Sequence, residues 1–168
     1  LVSCTYGGLF AFLAGSAFVF IDILGSSRLA CGLYIAGCSI SYIVGTFWCR
    51  RWLLRHGLAG AVKRGAVFTL MGGVSMAGLA WAGVLSPWAI ALPQMVYAFG
   101  HGIHQPCGQA GAVGPFPKAA GAASAMSGFL MMVVAFGAAY WVGANTDGSA
   151  LPMIVGVAFC SAAVALLF

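Results

Sequence analysis

Five polar side chains recur at helical spacing within one apolar stretch, and they are the residues best placed to do chemistry. They are Gln94, Tyr97, His101, Gln105 and Gln109. At about 100° per residue they fall within about 120° of one another on a single helix face. An imidazole among amides and a phenol can hold a polar solute and exchange a proton near neutral pH. The pattern predicts either a helix that lines a substrate pathway or one that forms hydrogen bonds with neighbouring helices.

A further histidine, His104, follows His101 by three residues and lies at the margin of this face. The spacing could present two imidazoles to one metal ion. No third ligand is evident nearby in the sequence, so a packed or hydrogen-bonded histidine is the favoured interpretation. We therefore predict no bound metal and no cofactor, and a membrane metal-binding protein is the least favoured alternative.

Other chemistries find little support in the composition. The six cysteines form no Cys-x-x-Cys motif and lie mostly in apolar stretches, where cysteine acts as a small apolar residue. Asp22 and Asp147 are the only acidic residues, and the sequence contains neither a Gly-x-Ser-x-Gly motif nor a phosphate-binding loop. The sequence therefore predicts a protein that is not an enzyme.

The composition indicates the scaffold that must position these side chains. Of the 168 residues, 62% are apolar, seven are basic and two are acidic, and the mean hydropathy is +1.05. An ordinary soluble domain has about 25% charged residues, and disordered chains are poor in apolar residues, so both classes are excluded. The composition predicts an all-α polytopic membrane protein.

The charged residues divide the chain into uncharged stretches long enough to cross a bilayer, which takes roughly 20 apolar residues per helix. The longest stretch, 65–117, can hold two spans, and it divides near Ser86-Pro87 because proline is favourable in the first turn of a helix. We predict six transmembrane helices, near 2–21, 29–49, 65–85, 88–112, 120–142 and 149–168.

Basic residues predict the orientation of these spans, since short cytoplasmic loops carry an excess of lysine and arginine. The loops over 50–64 and 113–119 share one side, and together they hold Arg50, Arg51, Arg55, Lys63, Arg64 and Lys118. That side is predicted to be cytoplasmic, which also places both ends of the chain there. Topology and anionic lipid headgroups account for the net charge of +5, so the expected partner is the lipid bilayer and not a nucleic acid.

The fifth predicted span begins with a run of small residues. Ala120, Ser124 and Gly128 are spaced four apart with Gly121 beside them, and this small-residue face would let another helix approach closely.

The fourth span has a comparable feature around its histidines. Gly100, Gly102 and Pro106 favour close helix approach and a weakened backbone hydrogen-bond ladder. Transport helices tolerate such interruptions where they line cavities.

These two regions resemble one known family. The pattern Gly100-His101-Gly102 with Pro106 resembles the tenth helix of the Bcr/CflA-type drug-efflux branch of the major facilitator superfamily, which carries Gly-x-Gly…Pro. The eleventh helix of that branch begins with Gly-x-Ala-Ser-Ala-x-x-Gly, matched here by Gly121, Ala123, Ser124, Ala125 and Gly128. Residues 8–25 resemble the seventh helix of the branch, although Ala17 stands where proline is usual.

The loop with Arg50, Arg51 and Arg55 resembles the basic gating loop of the same family, but it lacks the acidic residue of the stricter version. The histidine pair is not part of the family pattern, which leaves room for a specialised substrate.

The resemblance implies a bacterial inner-membrane transporter that exports drugs or other small amphipathic molecules in exchange for protons. The chain would be the C-terminal six-helix half, built of two three-helix inverted repeats, and we expect it to be a fragment. Its partners would be the missing N-terminal half, which usually carries the proton-coupling carboxylate, the small-molecule substrate and protons. The alternative is a transporter of the same architecture for a sugar, metabolite or amino acid.

Overall fold

The structure is a computed structural model that describes residues 1–167, and this part of the chain is helical with no β-strand. Its α-helices are α1 (Val2–Ala17), α2 (Arg28–Trp81), α3 (Pro87–Val113), α4 (Ala120–Ala144) and α5 (Leu151–Leu166). α1 continues as a π-helix over Phe18–Ile23, and a short 3₁₀-helix, Pro117–Ala119, precedes α4. The prediction of an all-α protein is confirmed.

Three helical stretches among the described residues are long and apolar enough to cross a membrane. They are Val2–Ile23, Arg28–Trp81 and Pro117–Ala144. α5 is apolar but shorter, and α3 carries the glutamines and histidines, which lower its hydropathy. These lengths and compositions are compatible with a membrane protein, and the number of spans stays a prediction.

Two helices begin where the sequence offers a capping serine. The Ser27 hydroxyl accepts a hydrogen bond from the Ala30 N–H at the start of α2, and Ser86 does the same for Ala89 at the start of α3. These caps satisfy one of the N–H groups that a first helical turn leaves unpaired. Pro87 occupies the first turn of α3, as the sequence predicted.

The 54-residue α2 is interrupted at a single residue. Gly57 has a φ of 69° and a ψ of −178°, a conformation that glycine adopts without steric cost. It separates a first segment, 28–56, from a second segment, 58–81. The stretch 50–64, predicted as the loop between two spans, is helical on both sides of this one-residue turn, because its leucines, alanines, arginines and lysines favour helix.

The second segment of α2 ends earlier than the predicted limit of 85, because a glycine terminates it at Trp81. Gly83 has a φ of 74°, its N–H bonds the Ala80 carbonyl, and the Val84 N–H bonds the Leu79 carbonyl. This is the Schellman arrangement, which pairs the last carbonyl groups of a helix.

α3 lies between the two segments of α2, and glycines bring the three backbones together. A Cβ at Gly102 would overlap the carbonyl oxygen of Tyr42 in the first segment. A Cβ at Gly100 would lie 2.6 Å from the carbonyl oxygen of Gly65 in the second segment. The predicted close helix approach at Gly100 and Gly102 is present on both sides of α3.

α1 packs mainly against α4 and α5, and the second segment of α2 also packs against α5. Glycines again set the approach of α1, since a Cβ at Gly7 would lie 2.9 Å from Val134 in α4 and one at Gly15 would lie 2.8 Å from Met153 in α5. α1 and α3 therefore have different neighbours: α1 packs on α4 and α5, and α3 packs on the two segments of α2.

Candidate functional site

His101 lies between two tyrosine rings in the interior of the bundle. Its ring centroid is 5.6 Å from that of Tyr6 in α1 and 5.6 Å from that of Tyr42 in the first segment of α2. His101 itself is buried, and both tyrosines are half-buried. Three helices thus contribute one aromatic ring each to a single cluster.

This cluster borders a cavity of about 460 Å³ between α1, the first segment of α2 and α3. The polar side chains that line it are Tyr6, Ser39, Tyr42, His101 and Gln105. The remaining lining residues are Cys38 and apolar residues such as Phe12 and Ile43, and no Asp, Glu, Lys or Arg is among them. An apolar cavity with a few convergent polar groups is the usual form of a small-molecule site.

Five buried side-chain atoms of α3 have no partner within residues 1–167, and two of them belong to residues that line this cavity, Nδ1 of His101 and Oε1 of Gln105. The other three are both amide atoms of Gln94 and Nδ1 of His104. A buried polar group without a hydrogen bond costs about 1–3 kcal/mol, so native proteins satisfy such groups with water or a ligand. Gln105 and His101 line the cavity itself, which makes them the groups best placed to hold a solute.

The other members of the predicted polar face have different surroundings. Tyr97 is fully buried, and its hydroxyl donates a hydrogen bond of 2.9 Å to the Thr5 carbonyl oxygen in α1. Gln94 is buried but does not line the cavity, and Gln109 is half-buried outside it. The sequence left two roles open for this face, and both occur. His101 and Gln105 line the cavity, and Tyr97 forms an interhelical hydrogen bond.

The two histidines of α3 have different neighbours. The His104 ring nitrogen Nε2 lies 3.1 Å from the Val62 carbonyl oxygen in the second segment of α2, away from the cavity. His101 faces the tyrosines. Among residues 1–167, no three His, Cys, Asp or Glu side chains cluster as metal ligands would. His104 is therefore hydrogen-bonded through Nε2, while its Nδ1 has no partner in this part of the chain.

Pro106 weakens the α3 backbone close to this site, and α2 compensates for the loss. A proline has no N–H to donate to the carbonyl four residues earlier, which here belongs to Gly102. The Thr46 hydroxyl of α2 lies 3.3 Å from that carbonyl oxygen and 3.1 Å from the Tyr42 carbonyl oxygen of its own helix, so its single hydrogen is shared between the two acceptors. Nearer the start of α3, the Ser41 hydroxyl donates to the Met95 carbonyl oxygen at 2.6 Å. α2 thus offers side-chain hydrogen bonds to two carbonyl groups of α3.

The residues predicted for gating and helix packing lie on the surface. Arg50, Arg51 and Arg55 are exposed at one end of the bundle, near the turn at Gly57. On α4, Gly121 and Ser124 are exposed and Ala120 and Gly128 are half-buried. Within residues 1–167, no atom lies within 4 Å of a Cβ placed at Gly121 or Gly128, so this small-residue face is open to a further helix.

Tyr6, Ser39 and Tyr42 are the polar cavity residues that sequence reasoning missed. All three lie inside predicted spans, at 2–21 and 29–49, and a phenol there needs a hydrogen-bonding or aromatic partner. A tyrosine inside a span indicates a buried partner, but the sequence does not show that the tyrosines of two separate spans both contact His101.

The chain matches no protein-family model, no curated protein and no solved structure.

Proposed function

We propose that this chain is a six-helix half of a secondary transporter of the major facilitator type, and that the cavity at His101 is part of its substrate pathway. The observation that carries this proposal is the cluster of His101, Tyr6 and Tyr42 on a cavity with unpartnered polar atoms. Ionisable side chains in the interior of an apolar helical bundle are costly, and in membrane proteins they commonly mark substrate or ion pathways.

The pairing of the helices supports two inverted repeats. Counted along the chain, the six helical segments are α1, the two segments of α2, α3, α4 and α5. α1 packs against α4 and α5, while α3 packs against the first and second segments of α2. In this order α1 corresponds to α3, the first segment of α2 to α4, and the second segment of α2 to α5. The contacts of α1 with α4 and α5 therefore correspond to the contacts of α3 with the two segments of α2. Inverted repeats in transporters have this property, and their binding sites lie at the interface between repeats.

The cavity lining supports a substrate that is small and amphipathic. Aromatic rings offer stacking to a planar group, and the hydroxyl, imidazole and amide groups offer hydrogen bonds. In this proposal the substrate leaves the cytoplasm of a bacterial cell in exchange for protons. The exposed Arg50, Arg51 and Arg55 mark the cytoplasmic end of a multi-pass protein in the inner membrane.

The second six-helix half is part of the proposal, because alternating access needs two halves that rock around one site. The open small-residue face of α4 is a surface on which a helix of the other half could pack closely. The coupling carboxylate is assigned to that half, since no acidic residue lines the cavity.

The test is accumulation of a fluorescent planar drug in cells that express the complete reading frame. We expect efflux that stops when an uncoupler collapses the proton gradient. Tyr42→Ala should reduce efflux by about 2- to 10-fold, because an aromatic contact is worth about 0.5–1.5 kcal/mol. Tyr140→Ala on the exposed face of α4 is the matched control. Equal accumulation with and without the uncoupler, or equal losses in the two variants, would contradict the proposal.

The hydrogen-bonding groups of the lining favour a second candidate, which is a transporter of the same architecture for a polar metabolite such as a sugar or amino acid. Five of the twelve lining residues carry a hydroxyl, imidazole or amide. Uptake or exchange of radiolabelled sugars and amino acids in the same cells distinguishes the two, since a drug exporter leaves these solutes unchanged.

A further inference from the structure

Two cysteines from different helices meet near the basic end of the bundle. The Sγ atoms of Cys49 in α2 and Cys107 in α3 are 3.1 Å apart, although the residues are 58 positions apart in the chain. Both residues are buried, and Cys49 Sγ also lies 3.5 Å from the Ile103 carbonyl oxygen. All six cysteines lie within the described residues, and this is the pair whose sulfur atoms are in hydrogen-bonding contact.

We propose that Cys49 and Cys107 form a reversible redox pair that a hydroperoxide converts to a disulfide. A disulfide requires sulfur atoms about 2.05 Å apart, so the two sulfurs need to approach by only about 1 Å.

A second cavity gives a small oxidant access to this pair. It has a volume of about 550 Å³ and is bounded by Cys49, Thr46, Arg50 and Pro106 among others. Cys107 is not part of its lining. Cys49 is therefore the sulfur that a hydroperoxide reaches first, and Cys107 is placed behind it to complete the reaction.

The chemistry balances with hydrogen peroxide, the simplest hydroperoxide, as the oxidant. The Cys49 sulfur attacks one peroxide oxygen, so that an S–O bond forms, the O–O bond breaks, and the departing hydroxide takes up the thiol proton as water. The sulfur is oxidised by two electrons to a sulfenic acid. The Cys107 sulfur then attacks the Cys49 sulfur, an S–S bond forms, the S–O bond breaks, and a second water leaves with the remaining thiol proton.

The product would join α2 to α3 covalently. Reduced thiols in the cell reverse the bond by thiol–disulfide exchange, as is usual for redox-sensing cysteines in a reducing compartment. The pair does not depend on the transport proposal, because its formation requires only the two helices to pack as described.

The experiment counts free thiols in the purified full chain, reconstituted in nanodiscs and treated with hydrogen peroxide. After denaturation, a maleimide-polyethylene glycol adds one mass step per free thiol. We expect six labelled thiols before treatment and four after it, with all six restored by a phosphine reductant. Mass spectrometry of the peptides should identify a Cys49–Cys107 crosslink, and this readout needs no variant.

Single cysteine variants test whether the two thiols that are lost belong to Cys49 and Cys107. Cys49→Ser should keep five labelled thiols after peroxide, whereas Cys107→Ser should fall from five to four, because oxidation of Cys49 stops at the sulfenic acid. The control Cys31→Ser should fall from five to three. The proposal is overturned if the wild-type chain keeps six free thiols, if the crosslink joins other cysteines, or if Cys49→Ser still loses two thiols.

Discussion

The Tyr97 hydroxyl of α3 donates a hydrogen bond of 2.9 Å to the backbone carbonyl oxygen of Thr5 in α1. Both residues are fully buried, and a Cβ at Gly8 would overlap the same hydroxyl. Gly8 therefore leaves the space into which the phenol extends. This contact fixes α1 against α3 beside the His101 cavity.

Removing that hydroxyl should lower stability without leaving a cavity. Tyr97→Phe is expected to reduce the free energy of unfolding by about 0.5–1.5 kcal/mol, the net worth of one hydrogen bond. The measurement is denaturation in mixed detergent micelles followed by circular dichroism. Tyr140→Phe changes the same group at an exposed position and serves as the control. Equal stability of the two variants would show that the Tyr97 hydrogen bond contributes nothing.

The close approach of α2 and α3 should be sensitive to one methyl group. Gly102→Ala places a Cβ against the Tyr42 carbonyl, which belongs to a backbone that cannot rotate away, so we expect a loss of about 1–3 kcal/mol. At Gly32, in the same α2 segment as Tyr42, a Cβ meets nothing within 4 Å of the described chain. Gly32→Ala should be neutral or stabilising by about 0.5–1 kcal/mol. The prediction fails if Gly102→Ala is as stable as Gly32→Ala in the same denaturation assay.

His104 should matter for folding and not for binding. His104→Ala removes a buried ring and its contact with the Val62 carbonyl, so the free energy of unfolding should fall by about 2–4 kcal/mol. His56→Ala, at an exposed position, should change it little. Drug affinity of the folded variant should stay unchanged, since His104 does not line the His101 cavity. A stoichiometric metal in the purified wild-type protein that is lost in His104→Ala would contradict this interpretation.

The turn before α5 allows a prediction about pH. The Ser149 hydroxyl donates to Asp147 Oδ1 at 2.7 Å and the Ser149 N–H donates to the same oxygen at 3.2 Å, which together hold the pKa of Asp147 below its usual value. These bonds favour the charged carboxylate, so their contribution to stability is present above the unfolded-state pKa and is lost as the pH falls through the folded-state pKa.

Ser149→Ala should therefore raise the Asp147 pKa toward its ordinary value, because the hydroxyl is the largest cause of the shift. Carboxylate NMR titration measures this change. Thr146→Ala is the matched control, since the Thr146 hydroxyl bonds the Val142 carbonyl and not Asp147. An Asp147 pKa that stays the same in Ser149→Ala would contradict the assignment.

The helices could be predicted from local features of the sequence. Uncharged stretches gave their approximate positions, and Pro87 marked the start of α3 because its effect on the backbone is local. The turn at Gly57 could not be predicted, since Gly60 lies three residues later in the same stretch and remains helical. Both glycines can adopt a positive φ, so the local sequence does not show which of them turns the chain.

The site could be predicted only in part, for a related reason. Periodicity placed His101 and Gln105 on one face of a helix, and both line the cavity. The same periodicity grouped them with Tyr97, which hydrogen-bonds to α1 instead. The partners Tyr6 and Tyr42, and the pairing of Cys49 with Cys107, depend on contacts between distant parts of the chain. The spacing of residues within one helix does not reveal contacts between helices.

The bond from Thr46 to the Gly102 carbonyl has a mechanical consequence for the bundle. Sliding α3 past the first segment of α2 would leave that carbonyl unpaired in apolar surroundings, which opposes the movement. Since the Tyr97 hydroxyl ties α3 to α1 in the same way, we expect α1, the first segment of α2 and α3 to move as one unit around the His101 cavity.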